Sequence, residues 1–249
     1  MIWASSGAGK TNLGGSLDAM TQKYRGKRSL YIPVEPAEGG GAATIRNLNI
    51  PMTVPKDYND FYRVLGLLRN DKSIGGVVLD NASEFAKQYV KSAALKYPSR
   101  ENSPTRSAGI ATRSDYQVMG ELMSQTLRAL IALTTHENPD YRKDVIIMAA
   151  DIQREEDEKI TFIGPDLPGR MSREACQMFQ QVGTIGIKTS VVDGKRVAGR
   201  YLTFAADGVK ALKDRYDIYP SEIPLRKSPD SPGEDLLTMF EKWWLPATI

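Results

Sequence analysis

Near the start of the chain, Ala4-Ser5-Ser6-Gly7-Ala8-Gly9-Lys10-Thr11 runs from small residues into a lysine and a hydroxyl. It fits G-x-x-x-x-G-K-[ST] at each specified position but the first, where Ala4 stands for glycine. A loop of this kind binds phosphates through backbone N–H groups, so it needs small residues that do not obstruct the oxygens. Gly7 and Gly9 permit the backbone angles that such wrapping requires. In that chemistry Ser6, Gly7, Ala8 and Gly9 cradle the phosphates of ATP. Lys10 bridges the β- and γ-phosphates, and the Thr11 hydroxyl ligates Mg²⁺. The N-terminus of the helix that follows adds partial positive charge. Gly14 and Gly15 cost that helix roughly 1 kcal/mol each against alanine. Close packing on a sheet accounts for them.

Four acidic positions compete for the remaining roles. Gly75-Gly76-Val77-Val78-Leu79-Asp80 reads as a buried strand that ends in a carboxylate, the arrangement that holds the Mg²⁺ shell. Glu84 opens the next helix, where a negative charge complements the dipole. Tyr31-Ile32-Pro33-Val34-Glu35-Pro36 offers a carboxylate where a strand leaves toward the ligand edge of a parallel sheet. Glu35 there orients or deprotonates the attacking water. Glu38 is its nearby competitor.

These groups need a scaffold, and the hydrophobic pattern supplies one. Short apolar runs predict strands over 2–4, 30–34, 76–79 and 145–149, alternating with longer helix-like segments. Helices are expected over 11–24, 58–69, 84–94, 115–132, 173–180 and 234–243. In the fourth, Val118, Leu122, Thr126 and Leu130 recur every four residues and form one apolar face. Strands over 184–188 and 199–204 flank Val192-Asp193-Gly194-Lys195, where Asp-Gly favours a hairpin turn. Residues 97–114 and 151–171 carry no periodicity and read as long loops, functional or disordered. The pattern implies an ATPase core over 1–216, then an extended connector and a terminal helix over 217–249 that packs on it.

Composition narrows the function classes. The 249 residues hold 41 % hydrophobic and 25 % charged side chains, ordinary for a globular protein. No apolar stretch is long enough to span a membrane, and no signal peptide is evident. One histidine, His136, excludes a multi-histidine metal site, and one cysteine, Cys176, excludes an internal disulfide and suits a reducing cytoplasm. The net charge of +3 does not announce nucleic acid. Its distribution says more: Lys91, Lys96, Arg100, Arg106 and Arg113 face a single acid, Glu101, along one stretch. Such a stretch neutralises phosphates without reading sequence, and Tyr97 offers a ring on which a base stacks.

Together these motifs resemble the RecA-like ATPases, in particular small phage-encoded members associated with single-stranded DNA binding and annealing. The resemblance implies an α/β P-loop NTPase fold: a mainly parallel central sheet flanked by helices, with a C-terminal β-hairpin. It assigns Glu35 as the glutamate that closes the strand after the P-loop helix and Asp80 as the Walker B aspartate. It places the polar sensor at Asp151 and Gln153. DNA-facing loops correspond to 97–114, with Lys96, Arg100, Arg106 and Arg113, and to 154–171, with Arg154, Lys159, Arg170 and Arg173. Lys210-Ala211-Leu212-Lys213-Asp214-Arg215 resembles the basic motif that reaches the ATP of a neighbouring subunit, which implies a homo-oligomer with ATP at its interfaces. On an extended strand, Lys213 and Arg215 point the same way. The family implies ATP, Mg²⁺ and single-stranded DNA as ligands, hydrolysis stimulated by DNA, and action in the host cytoplasm. A hexameric helicase, a packaging motor or a nucleotide-dependent interaction protein would use the same core. Ala4, Asp151 and the lack of a protomer-linking N-terminal segment depart from the recombinase pattern, and Trp243 and Trp244 are expected to pack the terminal helix.

Overall fold

The computed structural model describes residues 1–34, 41–97, 109–192, 195–227 and 231–247. Four parallel strands form its centre: β1 (Ile2–Trp3), β2 (Arg28–Pro33), β3 (Ile74–Asp80) and β4 (Asp144–Ala149). A hairpin, β5 (Asp151–Glu156) and β6 (Lys159–Pro165), follows β4 directly. The chain then adds β7 (Gln181–Val192), β8 (Lys195–Thr203), β9 (Lys213–Asp214) and β10 (Ile223–Leu225). The main sheet runs β10-β8-β7-β1-β4-β3-β2, with β9 paired to β7. β7 joins β1 in parallel, and β8 turns back antiparallel against β7. This is a mixed α/β fold with a mostly parallel centre.

Both faces of the sheet are covered, and alternation decides which residue goes where. Ile32, Val77, Leu79 and Ile147 join Phe61, Phe85, Met123 and Leu127 in one core. Tyr31, Val78 and Met148 point the other way, toward Leu13, Leu17 and Ile45. The first core belongs to α3 (Tyr58–Arg69), α4 (Ala82–Phe85), α5 (Lys91–Lys96), α6 (Arg113–Ala132) and α7 (Met171–Met178). A π-helical stretch, Ala86–Val90, makes α4 and α5 one continuous rod. The second core lies under α1 (Lys10–Gly15), α2 (Leu17–Arg25), the 3-10 segment Gly41–Leu48 and the terminal α8 (Leu236–Met239).

Local chemistry explains several boundaries. Asp57 starts α3 by accepting from the Asp60 amide at 2.9 Å. Asp115, which is buried, accepts from the Thr112 amide at 2.9 Å and fixes the start of α6. Gly14 fits because a Cβ there would stand 2.8 Å from Met148 Cε. The helix therefore approaches the sheet more closely than any side chain allows. The terminal segment docks on α2: Lys23 and Tyr24 both reach Glu241, at 2.5 and 2.9 Å, and Tyr24 packs on Phe240. Trp243 meets Tyr219, and Trp244 meets Tyr216 edge-on.

Two expectations need correction. Residues 151–171 are not one long loop, because 151–165 pair as the antiparallel hairpin β5–β6. Its acidic residues collect at the tip, where Asp157 and Glu158 take positive φ angles of 50° and 60°. The extended run expected over 213–215 ends at Asp214. There the carboxylate accepts from the amides of Tyr216, Ile218 and Tyr219 and bends the chain away. The alternation that aligned Lys213 with Arg215 does not continue. Among the described residues no helix is long and apolar enough to cross a membrane.

Candidate nucleotide site

β1 stops at Trp3, and the chain turns over the carboxyl edge of the sheet into α1. Gly7 and Gly9 hold φ angles of +75° and +103° in that turn, a region that L side chains rarely adopt. The loop borders a cleft of about 310 Å³ whose lining includes Ser6, Gly7, Gly9, Lys10, Thr11 and Asp80. Ala8 is buried beneath it.

Three side chains define the chemistry of this cleft. The Lys10 ammonium donates to the carbonyls of Ala4 and Ser5, at 2.5 and 2.9 Å, so the loop holds its own cation. The Thr11 hydroxyl donates to Asp80 Oδ2 at 2.7 Å. Tyr31, one strand over on β2, donates its phenolic hydroxyl to the same oxygen. The sheet builds this group from distant segments, since Asp80 ends β3 and is paired with Pro33 of β2. Thr11 and Asp80 supply adjacent hard oxygen donors, the type that Mg²⁺ takes, and the positive-φ glycines leave backbone amides free of side-chain cover. The residues present therefore fit a magnesium–nucleotide complex.

Other expected residues fall as follows. Asp151 reaches the loop, where its Oδ2 accepts from Ser5 Oγ at 2.9 Å. Gln153 instead donates to Glu155 at 2.6 Å along its own strand. Glu84 stands in the first turn of α4, next to the Asn81 cap, and pairs with Lys87 at 3.3 Å. Glu35 and Glu38 lie outside the described residues, as do Arg100 and Arg106.

Arg113 and Arg170 come together in a second cleft of about 660 Å³, with Arg128 and Tyr116 on its wall. Glu121 and Glu174 line it as well, and Arg170 pairs with Glu174 at 2.9 Å. Arg154 and Arg173 stand over the Phe162 ring at 5.7 and 5.2 Å. Lys96 belongs to a different groove, shared with Tyr58, Tyr89 and Tyr97.

Neither Lys213 nor Arg215 lines the phosphate cleft of its own chain. The Lys213 ammonium donates to the carbonyls of Phe179 and Gln177, at 2.7 and 3.2 Å, and so closes the end of α7. Its register partner Val182 lies at the start of β7, the amino edge of the sheet.

The cation that does reach the cleft is Arg200, on β8. Its Nη2 donates to the Gly7 carbonyl at 3.2 Å. Sequence reasoning missed it, because a lone arginine in a hairpin carries no motif. The one available signal was alternation: Leu202, two residues on, is fully buried, so Arg200 shares its inward face.

No curated protein matched the chain. A family model described as an AAA domain matches residues 1–216. With its phosphate loop, Asp80 and mostly parallel sheet in the arrangement just described, the chain belongs to this AAA-domain family of P-loop nucleotide-binding ATPases.

Proposed function

We propose that this protein hydrolyses ATP and uses the nucleotide to tune its grip on single-stranded DNA in phage recombination, annealing or repair. The observation that carries the hydrolysis is the convergence of Lys10, Thr11 and Asp80 on one positive-φ loop. Mg²⁺, held by Thr11 and Asp80, offsets charge on the phosphate oxygens when bound. Lys10 exchanges loop carbonyls for the β- and γ-phosphates and stabilises the charge that develops there. Tyr31 holds the Asp80 carboxylate in orientation. Glu35, two positions beyond Pro33 in the sequence, orients the attacking water. Asp151, hydrogen-bonded to Ser5, acts as the sensor that couples the loop to the β5–β6 hairpin.

The DNA reading rests on the arginine cleft. Arg113, Arg128 and Arg170 offer phosphate contacts beside the exposed ring of Tyr116, a combination that suits an unpaired strand. Lys96, in its own groove, and Arg100 and Arg106, named from the sequence alone, are the further phosphate contacts of this reading. The phage setting and strand annealing rest on the motif resemblance. A homo-oligomer with ATP at its interfaces places Arg215, exposed and past the end of β9, toward a neighbour's nucleotide.

Phosphate release measured with and without single-stranded DNA tests the proposal. Stimulation is expected, and its salt dependence flattens when Arg100, Arg106 and Arg113 are neutralised together. ATP turnover indifferent to DNA, with unchanged binding by the triple variant, would remove the DNA role and leave the ATPase.

A further inference from the structure

Arg200 stands apart from every other residue of the phosphate cleft in how it arrives there. β1 ends at Trp3, which pairs with Thr184 of β7, while β7 and β8 continue as a hairpin well past that point. Arg200 pairs with Ile187, three residues beyond Thr184, so it overhangs the sheet edge by about 10 Å at ~3.4 Å per residue. The strand order β8-β7-β1-β4-β3 puts Arg200 and Asp80 on opposite sides of the loop, each two strands from β1. At ~4.8 Å per strand, each flanks the loop by about 10 Å.

The guanidinium is held close. It donates to the Gly7 carbonyl, and its Cδ stands 3.1 Å from where a Cβ on Gly9 would lie. Lys10 and Arg200 are the cations of this cleft, and Arg200 has no ion pair with a carboxylate among the described residues. It also borders a small recess with Asn12, Arg226 and Asp235, next to the first turn of α1.

These positions give the cleft a polarity. Thr11 and Asp80 mark the metal end, where β- and γ-phosphates sit. The third phosphate of a nucleoside triphosphate must then lie away from Asp80, on the side where the overhanging hairpin stands. We propose that Arg200 binds the α-phosphate of the nucleotide held by its own chain, exchanging the Gly7 carbonyl for two phosphate oxygens. This rests on the nucleotide reading above. A guanidinium suits the task because its planar fork meets two oxygens of one phosphate, whereas an ammonium acts as a point charge. The contact is made equally with ATP and ADP, so Arg200 grips the nucleotide and leaves the transferred phosphate to Lys10.

The test measures binding of ADP, a slowly hydrolysed ATP analogue and pyrophosphate, each with Mg²⁺, to the parent chain, Arg200→Ala and Arg200→Lys. Loss of one charge-assisted contact is expected to weaken ADP and the ATP analogue alike, by about thirtyfold. Pyrophosphate, which fills only the β and γ positions, should bind all three proteins equally. Turnover at saturating ATP, measured alongside, separates grip on the nucleotide from contact with the transferred phosphate. Arg200→Lys should recover part of the lost ADP affinity and confirms that the site remains folded. A fall in saturating turnover with parental ADP affinity would instead put Arg200 at the transferred phosphate and overturn the proposal. Parental affinity for all ligands, or an equal loss for pyrophosphate, would make Arg200 a strut for the loop and overturn it too. If the parent itself binds neither ADP nor the analogue, the nucleotide reading has failed, and that result is distinct from failure of the Arg200 assignment alone.

Discussion

The two edges of the central sheet use the same interaction for opposite ends. At the carboxyl edge, Lys10 donates to Ala4 and Ser5, and Arg200 to Gly7. At the amino edge, Lys213 donates to Phe179 and Gln177, and Lys143 to Asp71 at 2.6 Å. In each case a cation satisfies backbone carbonyls that the fold leaves over. The difference lies in what surrounds them. Lys143 is 1 % exposed, and burial pushes its pKa down. Lys10 and Arg200 instead border an open cleft beside positive-φ glycines, where an anion reaches them. A cation on a carbonyl is a structural clamp where the strands begin and, under the proposed function, a phosphate ligand where they end, because parallel strands direct every following loop to one edge.

The largest test of this contrast is Lys10→Ala. Turnover measured by phosphate release should fall about a thousandfold, the scale for losing one stabiliser of transition-state charge, with an unchanged melting profile. Hydrolysis near the parent rate would remove the carboxyl edge from the chemistry. Glu35→Gln should slow hydrolysis about a hundredfold while keeping ATP affinity. If Glu38→Gln is slow and Glu35→Gln normal, the second carboxylate does the work.

The amino edge makes its own predictions. Cys176, on α7, is held in apolar surroundings that push its thiol up to about 11. Since the thiolate is the reactive form, labelling by a disulfide reagent at pH 8 should run about a hundredfold slower than for an unburied cysteine. Labelling at the ordinary rate would show that this edge opens in solution. The smallest effect belongs to Lys213→Met. It should cost about 1–3 kcal/mol, a few degrees in melting temperature, and leave saturating turnover unchanged. Mixing Lys213→Ala/Arg215→Ala chains with Lys10→Ala chains sharpens the point. Restored turnover in the mixture would move Lys213 from clamp to intersubunit catalyst.

Parts of this molecule were legible without coordinates. The bounds of α3 emerge as expected, and β3 emerges from its unbroken apolar run into Asp80. The hairpin β5–β6 was not legible: Arg154-Glu155-Glu156-Asp157-Glu158-Lys159 reads as a solvated loop, and its stability comes from cross-strand pairing rather than local preference. Arg200 escaped for a related reason, since its worth lies in a partner 193 residues away along the chain.

What the sequence determined by itself was the phosphate loop, because backbone wrapping depends on residues that adjoin one another: small side chains, glycines for positive φ, then Lys10 and Thr11. It also determined that Asp80 ends a buried strand, since burial on both faces writes itself as a continuous apolar run. Tertiary structure decided which charges share a cleft. Strand order set Asp80 on one side of the loop and Arg200 on the other, and it sent Lys213 to the far edge. Strand order is fixed by packing two faces of one sheet and by pairings between segments far apart in the chain. No local spacing of residues encodes it.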